Sequence, residues 1–405
     1  MAGRLVIVGA GQAGFALAAK LRALKDERPI TILGSETSLP YQRPPLSKKY
    51  LLGEMTFDRL LFRPESWFAD NNVEIRLSAW VEEIDRTAKT VRLQDGERVE
   101  YETLALATGA TPRRLPEAIG GELAGVFTVR DKDDCDRLAE AMTPGRRLLV
   151  IGGGYIGLEA AAVARKLGLE VTVIEMADRI LKRVAAKETA DIMRAVHESH
   201  GVTIREETGL HRLIGEGGRV TAAELSDGSN LPVDLVVVGI GVTPNDRAAA
   251  EAGLAVANGI VVDAFCRTSD PSIFAMGDCA VFPWQGEEIR LESVQNAVDQ
   301  AEAAAAVMAG GETAYDPKPW FWSDQYDVKL QIAGFNRGYD ETLLRPGQRE
   351  GASSVWYFRE GRLIAVDAIN DAKAYVTGKK MLESGINPDK AALADPASDL
   401  KTLLG

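Results

Sequence analysis

The sequence predicts an α/β chain: two copies of a unit with a doubly wound parallel sheet, then a small α+β domain. Three observations predict it. A glycine-rich turn occurs twice, in RLVIVGAGQAGFALAAKLRAL from Arg4 and in RRLLVIGGGYIGLEAAAVARKLG from Arg146. Each copy is followed by the same downstream features. After about residue 316 the pattern changes to strand-like runs separated by turns.

The first copy begins with a short β-rich run, Leu5 to Val8, which meets Gly9, Gly11 and Gly14 and then an amphipathic helical stretch. A second apolar strand, ITILGSE, follows at 30–36, and LALATGATP at 104–112 closes the unit. In the second copy Gly152, Gly154 and Gly157 take the place of the first three glycines. EVTVIE at 170–175 is its second strand, and VVVGIGVTP at 236–244 echoes the closing loop. One such glycine pattern is a weak signal; two at strand-to-helix junctions with a shared downstream echo are a strong one.

The pattern has a physical reading. The first glycine permits a tight turn, the second lets backbone approach a pyrophosphate, and the third lets helix pack closely on strand. The helix N-terminus supplies unpaired N–H groups and partial positive charge. The units are therefore expected to be Rossmann-type dinucleotide-binding domains of the glutathione-reductase-like kind. Two sites imply two dinucleotides, as in a flavoprotein that also binds a nicotinamide.

An acidic residue at the end of the second strand binds the adenosine ribose. Glu175 fills that position in the second unit and favours NADH over NADPH, with Arg179 and Arg183 as nearby cations able to soften the preference. In the first unit the strand ends at Leu33, and both Ser35 and Glu36 are candidates. The repeat lays the chain out as an FAD-binding domain at 1–110 and 246–315, an NAD-binding domain at 111–245, and the α+β domain at 316–405. In that last domain VKLQIAGF, SSVWYFR and RLIAVDAI read as strands, with a helix from about Asp371.

Composition narrows the function. The 405 residues are 46% hydrophobic and 26% charged with a net charge of −12, as for an ordinary globular protein whose charge disfavours nucleic acid or anionic membrane as a partner. The glycines interrupt the apolar run from Leu5 to Leu21, so it reads as strand and helix rather than signal peptide. No later stretch has the length of apolar sequence that a membrane span needs. Cys135, Cys266 and Cys279 are too few and too isolated for a disulfide framework or a redox CxxC pair, which points to a cytoplasmic setting. His197, His200 and His211 lie close in sequence without a nearby cysteine. They read as exposed polar positions, and no metal site is expected.

Several further segments carry a resemblance: YQRPPLSKKYL at 41–51, ATGATPR at 107–113, GGGYIGLE at 152–159, TSDPSIFAMGDCA at 268–280 and PWFWSDQYD at 319–327. From Arg4 to about Asp371 the chain resembles the FAD-dependent NADH:ferredoxin reductases of bacterial cytochrome P450 and Rieske oxygenase systems. The resemblance implies non-covalent FAD, NADH as donor and a [2Fe-2S] ferredoxin as acceptor. It implies Asp278 at the flavin ribityl chain, Lys48 near flavin N5 paired with Glu159, and Trp322 near the flavin rim. Arg43, Val81, Arg130 and Val294 fall at FAD contacts, as do Ala13, Thr108 and Gly109 within the matching motifs. Tyr155, Ile156, Arg183 and Gly241 fall on the NADH side.

On this reading hydride passes from NADH to the flavin without a protein acid or base, and electrons leave one at a time because no dithiol stands beside the flavin. Arg63, Arg290, Lys329, Lys379 and Lys380 are candidates for a basic dock for an acidic carrier, and the chain is expected to be monomeric. Rival readings are a rubredoxin reductase, a monodehydroascorbate-type reductase and an NADH oxidase. The last is disfavoured by Tyr41 and Gln42 where such enzymes carry a cysteine. A rival of another class is an apoptosis-inducing-factor-like redox-sensing binding protein, which the net negative charge disfavours.

Overall fold

A computed structural model describes residues 3–404, which fall into two units. The first takes the chain up to Gln42, then Phe57–Thr111 and Val242–Pro317; the second takes Arg43–Thr56, Pro112–Gly241 and the chain from Lys318 onward. Residues 43–56, expected with the first domain, thus cluster with the second unit. Of the segment 316–405, expected as a separate domain, the part from Lys318 onward is grouped there too.

The first unit is built on a five-stranded parallel sheet. Its spatial order is Ile273–Ala275, Thr103–Leu106, Leu5–Val8, Ile30–Leu33 and Val73–Arg76. Leu5–Val8 is central and buried at every position, as expected for a strand covered on both faces. Helix Gln12–Ala23 follows the glycine turn and packs against helix Val294–Met308. Small buried residues on both, among them Ala13, Ala16, Ala297, Ala301 and Ala304, let the two approach closely. A three-stranded antiparallel meander, Val81–Asp85, Thr90–Leu93 and Arg98–Glu100, is inserted between Val73–Arg76 and Thr103–Leu106.

The second unit repeats this plan. Its parallel sheet runs Val202–Arg205, Glu170–Ile174, Arg147–Ile151, Leu235–Val238 and Val126–Phe127. The strand leading into the glycine turn is again central. A second meander, Leu210–Glu216, Arg219–Leu225 and Asn230–Pro232, sits at the matching point. The fifth strand comes from earlier in the chain, a departure from the first unit.

The C-terminal part is a five-stranded antiparallel sheet in the order Trp320–Gln325, Val328–Gly334, Arg362–Ile369, Ser353–Arg359 and Glu341–Pro346, with helix Ala372–Ser384 packed on it. Val328, Leu330, Ile332 and Ile369 share a core with Leu158, Ile180, Ala190 and Met193. This sheet is therefore continuous in packing with the helices of its unit. Among the described residues no helix is long and apolar enough to cross a membrane.

Candidate functional site

The two glycine turns have the same stereochemistry. Gly9 has φ +114°, and a Cβ there would lie 2.1 Å from the Ala107 carbonyl oxygen. A Cβ on Gly14 would lie 1.9 Å from the Gly9 oxygen, so helix and turn touch there. Gly11, between them, has nothing of the described residues within 4 Å of that position. In the second unit a Cβ on Gly152 (φ +103°) would meet the Gly239 oxygen at 2.5 Å and one on Gly157 the Gly152 oxygen at 2.3 Å, while Gly154 is open. The middle glycine of each turn thus leaves open space beside the start of its helix. Gly11 and Gly154 also N-cap their helices without any side-chain hydrogen bond, leaving first-turn N–H groups for an anion. Both cradles fit a dinucleotide pyrophosphate.

Around the first turn the structure gathers several expected residues. Ala13 lies beside Gly277 (φ +77°), 3.1 Å from the position of a Cβ on that glycine, which brings Asp278 to the start of helix Gln12–Ala23. The Asp278 carbonyl accepts a hydrogen bond of 2.9 Å from Arg290. Ser35 is exposed. Glu36 is half-buried, and its Oε2 accepts from the Tyr41 hydroxyl at 2.5 Å. The echoed closing loops meet here: Thr108 Oγ1 donates to the Asn245 carbonyl at 2.7 Å, Asn245 Nδ2 donates back to the Thr108 carbonyl at 2.8 Å, and Asn245 N–H bonds the Gly109 oxygen at 2.9 Å. Val81 opens a meander strand and Val294 the helix capped by Ser293.

Around the second turn Glu175 is held by two backbone donors, Gly153 N–H on Oε2 and Ala177 N–H on Oε1, each at 2.8 Å. Its carboxylate is thereby aimed at the turn. Arg183 is exposed, with Nη2 3.5 Å from the Cβ position of Gly241. Arg179 instead donates to the Ala185 carbonyl at 3.0 Å, so of the two cations only Arg183 faces this region. Ile156 is 44% exposed at the helix start. The Tyr155 ring packs 4.9 Å from Phe321, and its buried hydroxyl finds no partner among the described residues.

A third cluster sits on the adjoining elements of the second unit. Lys48 Nζ pairs with Glu159 Oε2 at 2.7 Å, and Ser47 Oγ donates to the same oxygen at 2.6 Å. Ser323 Oγ donates to Oε1 at 2.6 Å. Glu159 is only 4% exposed, so this burial is tolerated because both oxygens are satisfied and the charge is matched. Lys49 points to solvent. Arg43 donates to the Arg130 carbonyl at 3.0 Å, which brings those two together. Alternation along Trp320–Gln325 puts Ser323 and Phe321 on the face toward helix Tyr155–Lys166 and Trp322 with Trp320 on the opposite face.

Two sequence expectations are corrected here. His197 is fully buried rather than exposed, because it faces inward from helix Lys187–Ser199 onto Gln325; His200 and His211 are exposed. Arg290 is a poor dock residue, with its side chain 12% exposed and paired to Glu292 at 2.8 Å. Ser47, Ser323, Gln325 and His197 were not foreseen as site residues, since no spacing rule links residues so far apart in sequence. The cysteines are buried and free, and burial pushes the Cys135 and Cys266 thiols up to about 12. Such thiols are inert.

Residues 3–301 match the family model described as pyridine nucleotide-disulphide oxidoreductase, and residues 320–404 the one described as reductase C-terminal. The chain is 44% identical to a ferredoxin–NAD(P)(+) reductase of Sphingomonas sp., covering 99% of this chain and 97% of that one. It is similar to the solved covalent putidaredoxin reductase–putidaredoxin complex (TM-score 0.96, 38% identity, covering 100% of this chain and 98% of that one). It is also similar to the ferredoxin reductase for the CYP199A2 system from Rhodopseudomonas palustris (TM-score 0.96, 42% identity, covering 99% and 100%).

Proposed function

Because the chain belongs to the pyridine nucleotide-disulphide oxidoreductase family, we propose that it is an FAD-dependent NADH:ferredoxin reductase serving a cytochrome P450 or Rieske-type oxygenase. FAD, when bound, would supply two-electron uptake from NADH and one-electron release, so that two [2Fe-2S] carriers are reduced per NADH with one proton released. The observation that carries the reading is the pair of glycine cradles, each open only at its middle glycine, in a chain whose thiols are all buried.

The protein's own work is binding, orientation and charge. FAD is assigned to the domain of residues 1–110 and 246–315 and NADH to 111–245, while 316–405 helps form the acceptor dock. The Gly11 cradle would hold the FAD pyrophosphate, and Asp278 would accept from the ribityl hydroxyls. Glu36 rather than Ser35 takes the FAD ribose, a choice supported by its anchoring to Tyr41. Gly9, Ala13, Gly14, Val81, Thr108, Gly109 and Val294 complete these contacts, with Arg43 and Arg130 assigned to the same cofactor. The Gly154 cradle, with Gly152, Tyr155, Ile156, Gly157, Arg183 and Gly241, takes NADH. Lys48, steadied by Glu159, places a positive charge for the flavin ring, and Trp322 is assigned to its rim. The free, buried cysteines suit a cytoplasmic protein, acting as a monomer.

Glu175 repels a ribose 2′-phosphate, so Glu175→Ala should narrow the preference for NADH over NADPH by about 10-fold or more in kcat/KM. An unchanged ratio would remove Glu175 from coenzyme choice. The function itself is tested by steady-state NADH oxidation with a [2Fe-2S] ferredoxin, rubredoxin, ferricyanide and oxygen as separate acceptors. Fast, saturable ferredoxin reduction with slow oxygen uptake is expected. Saturable rubredoxin reduction without ferredoxin reduction would move the protein to the rubredoxin reductases.

A further inference from the structure

The Lys48–Glu159 pair is one end of a longer chain of hydrogen bonds through the interior of the second unit. Beyond Glu159, Ser323 Oγ donates to Oε1 at 2.6 Å, and Gln325 Nε2 donates to Ser323 Oγ at 3.0 Å. Gln325 Oε1 lies 2.7 Å from His197 Nε2, and His197 Nδ1 lies 3.3 Å from the Tyr326 hydroxyl. Ser323, Gln325 and His197 each have no exposed surface. At the far end the Tyr326 ring stacks on exposed His200, centroids 3.7 Å apart and planes at 11°.

The direction of every bond follows from the charge at one end. A carboxylate only accepts, so the Ser323 hydroxyl must donate to it. Its oxygen then accepts from the Gln325 amide nitrogen, which turns the amide oxygen toward His197. That oxygen only accepts, so His197 carries its proton on Nε2 and offers Nδ1 as the acceptor for Tyr326. Burial pulls His197 down to about 4, in keeping with a neutral ring. A second, independent observation marks the far end as a built feature. Tyr326 has φ +55° at the first position of the two-residue hairpin between Trp320–Gln325 and Val328–Gly334, where glycine is the preferred residue. A tyrosine there is strained backbone, at the spot that brings its ring and hydroxyl onto the two histidines.

We infer that Ser323, Gln325 and His197 are positioning residues for the reaction, forming a one-directional hydrogen-bond chain that holds the Glu159 carboxylate and, through it, the Lys48 ammonium in place. The inference deepens the proposed function and rests on it for the role of Lys48. The chain orients and does not conduct: an amide at Gln325 cannot pass a proton on without becoming an imidic acid, so proton traffic stops there. A histidine rather than an apolar ring is needed at 197 because Gln325 Oε1 would otherwise be a buried acceptor without a donor, free to turn and release Ser323.

Two substitutions separate this role from packing. His197→Phe keeps the ring and removes the donor; His197→Gln loses the ring and keeps an N–H close to the Nε2 position. In the FAD-loaded protein, His197→Phe should slow anaerobic flavin reduction by NADH on the order of 10-fold with the Kd for NADH unchanged. It should also make the flavin midpoint potential more negative, as the lysine charge is held less firmly. His197→Gln should restore both. Equal impairment by both variants, or a His197→Phe protein with unchanged potential and rate, would overturn the inference. Nitrogen NMR of the unmutated protein gives an arm that needs neither variant nor NADH: neutral His197 protonated on Nε2 is expected, and protonation on Nδ1 would overturn the chain. Wild-type protein that NADH does not reduce would sink the functional reading, while the NMR result would still decide the chain.

Discussion

At Glu159 three donors converge on one carboxylate: Lys48 and Ser47 on Oε2 and Ser323 on Oε1. Removing the charge from such a buried pair leaves the lysine without its counter-ion, and breaking buried pairs costs about 3–5 kcal/mol. Glu159→Gln should therefore slow flavin reduction by NADH at least on the order of 10-fold and lower Tm; unchanged reduction kinetics would remove the pair from the reaction. Two further buried groups in this unit titrate in opposite senses. His197 is pulled down by burial to about 4 from about 6.5 in an unfolded chain. Between these values the unfolded chain binds the extra proton, so its contribution to stability rises with pH and is lost as pH falls toward 4. Asp367, with no exposed surface, is pushed up by burial to about 7, against the pull of the Tyr357 and Thr189 hydroxyls. Between about 3.9 and 7 the folded chain holds the extra proton, so its contribution falls as pH rises. Melting curves from pH 4 to 7 test both. The Tm advantage of wild type over His197→Gln should grow with pH, and that over Asp367→Asn should shrink. The same slope for both would contradict the assignment. None of these buried groups was legible as a partner in the sequence, because His197 meets Gln325, and Thr189 meets Asp367, only after helix Lys187–Ser199 and the C-terminal sheet have packed together.

At the scale of elements, the glycine turns were legible because their constraint is local. Gly9 and Gly14 are forced by atoms only a few residues away or on the adjacent strand, and the same holds for Gly152 and Gly157. This gives a contrast within one motif. Gly11→Val places its Cβ clear of the described residues and should yield a folded protein that purifies with little FAD. Gly14→Val meets the Gly9 carbonyl and should lower Tm even of the flavin-free chain. Gly154→Val should leave the protein yellow and raise KM for NADH. Flavin content by absorbance, melting curves and NADH kinetics check all three; full flavin in Gly11→Val would show that this cradle does not approach the pyrophosphate. The two meanders were not foreseen. Leu210–Glu216 buries only Leu213, so its pattern lacks the alternation by which a half-buried strand is recognised. Strand Glu341–Pro346 was missed for a similar reason, its buried residue being Arg345, which is held by backbone carbonyls including those of Leu393 and Ser398.

For the molecule as a whole, the repeat, the two-dinucleotide plan and the C-terminal α+β part were legible because each repeats or changes over long stretches of sequence. The acceptor surface was not, since charge alone does not say which cations are free. Arg290 is committed to Glu292 and the Asp278 carbonyl, and Lys379 lies over the Trp320 ring near Glu383, whereas Lys329 and Lys380 are exposed. Lys329→Glu with Lys380→Glu should raise KM for an acidic carrier several-fold at low ionic strength, less at high salt, and leave ferricyanide reduction alone. Unchanged carrier kinetics would place the dock elsewhere. The central claim, that electrons enter from NADH and leave from the flavin to a one-electron carrier, is tested most directly by anaerobic double-mixing stopped flow. The yellow protein is first bleached by one equivalent of NADH and then mixed with oxidised [2Fe-2S] ferredoxin. The yellow colour should return as two equivalents of ferredoxin are reduced, at a rate that saturates with ferredoxin concentration. A protein that bleaches but does not recolour with ferredoxin, while recolouring with ferricyanide, would contradict it.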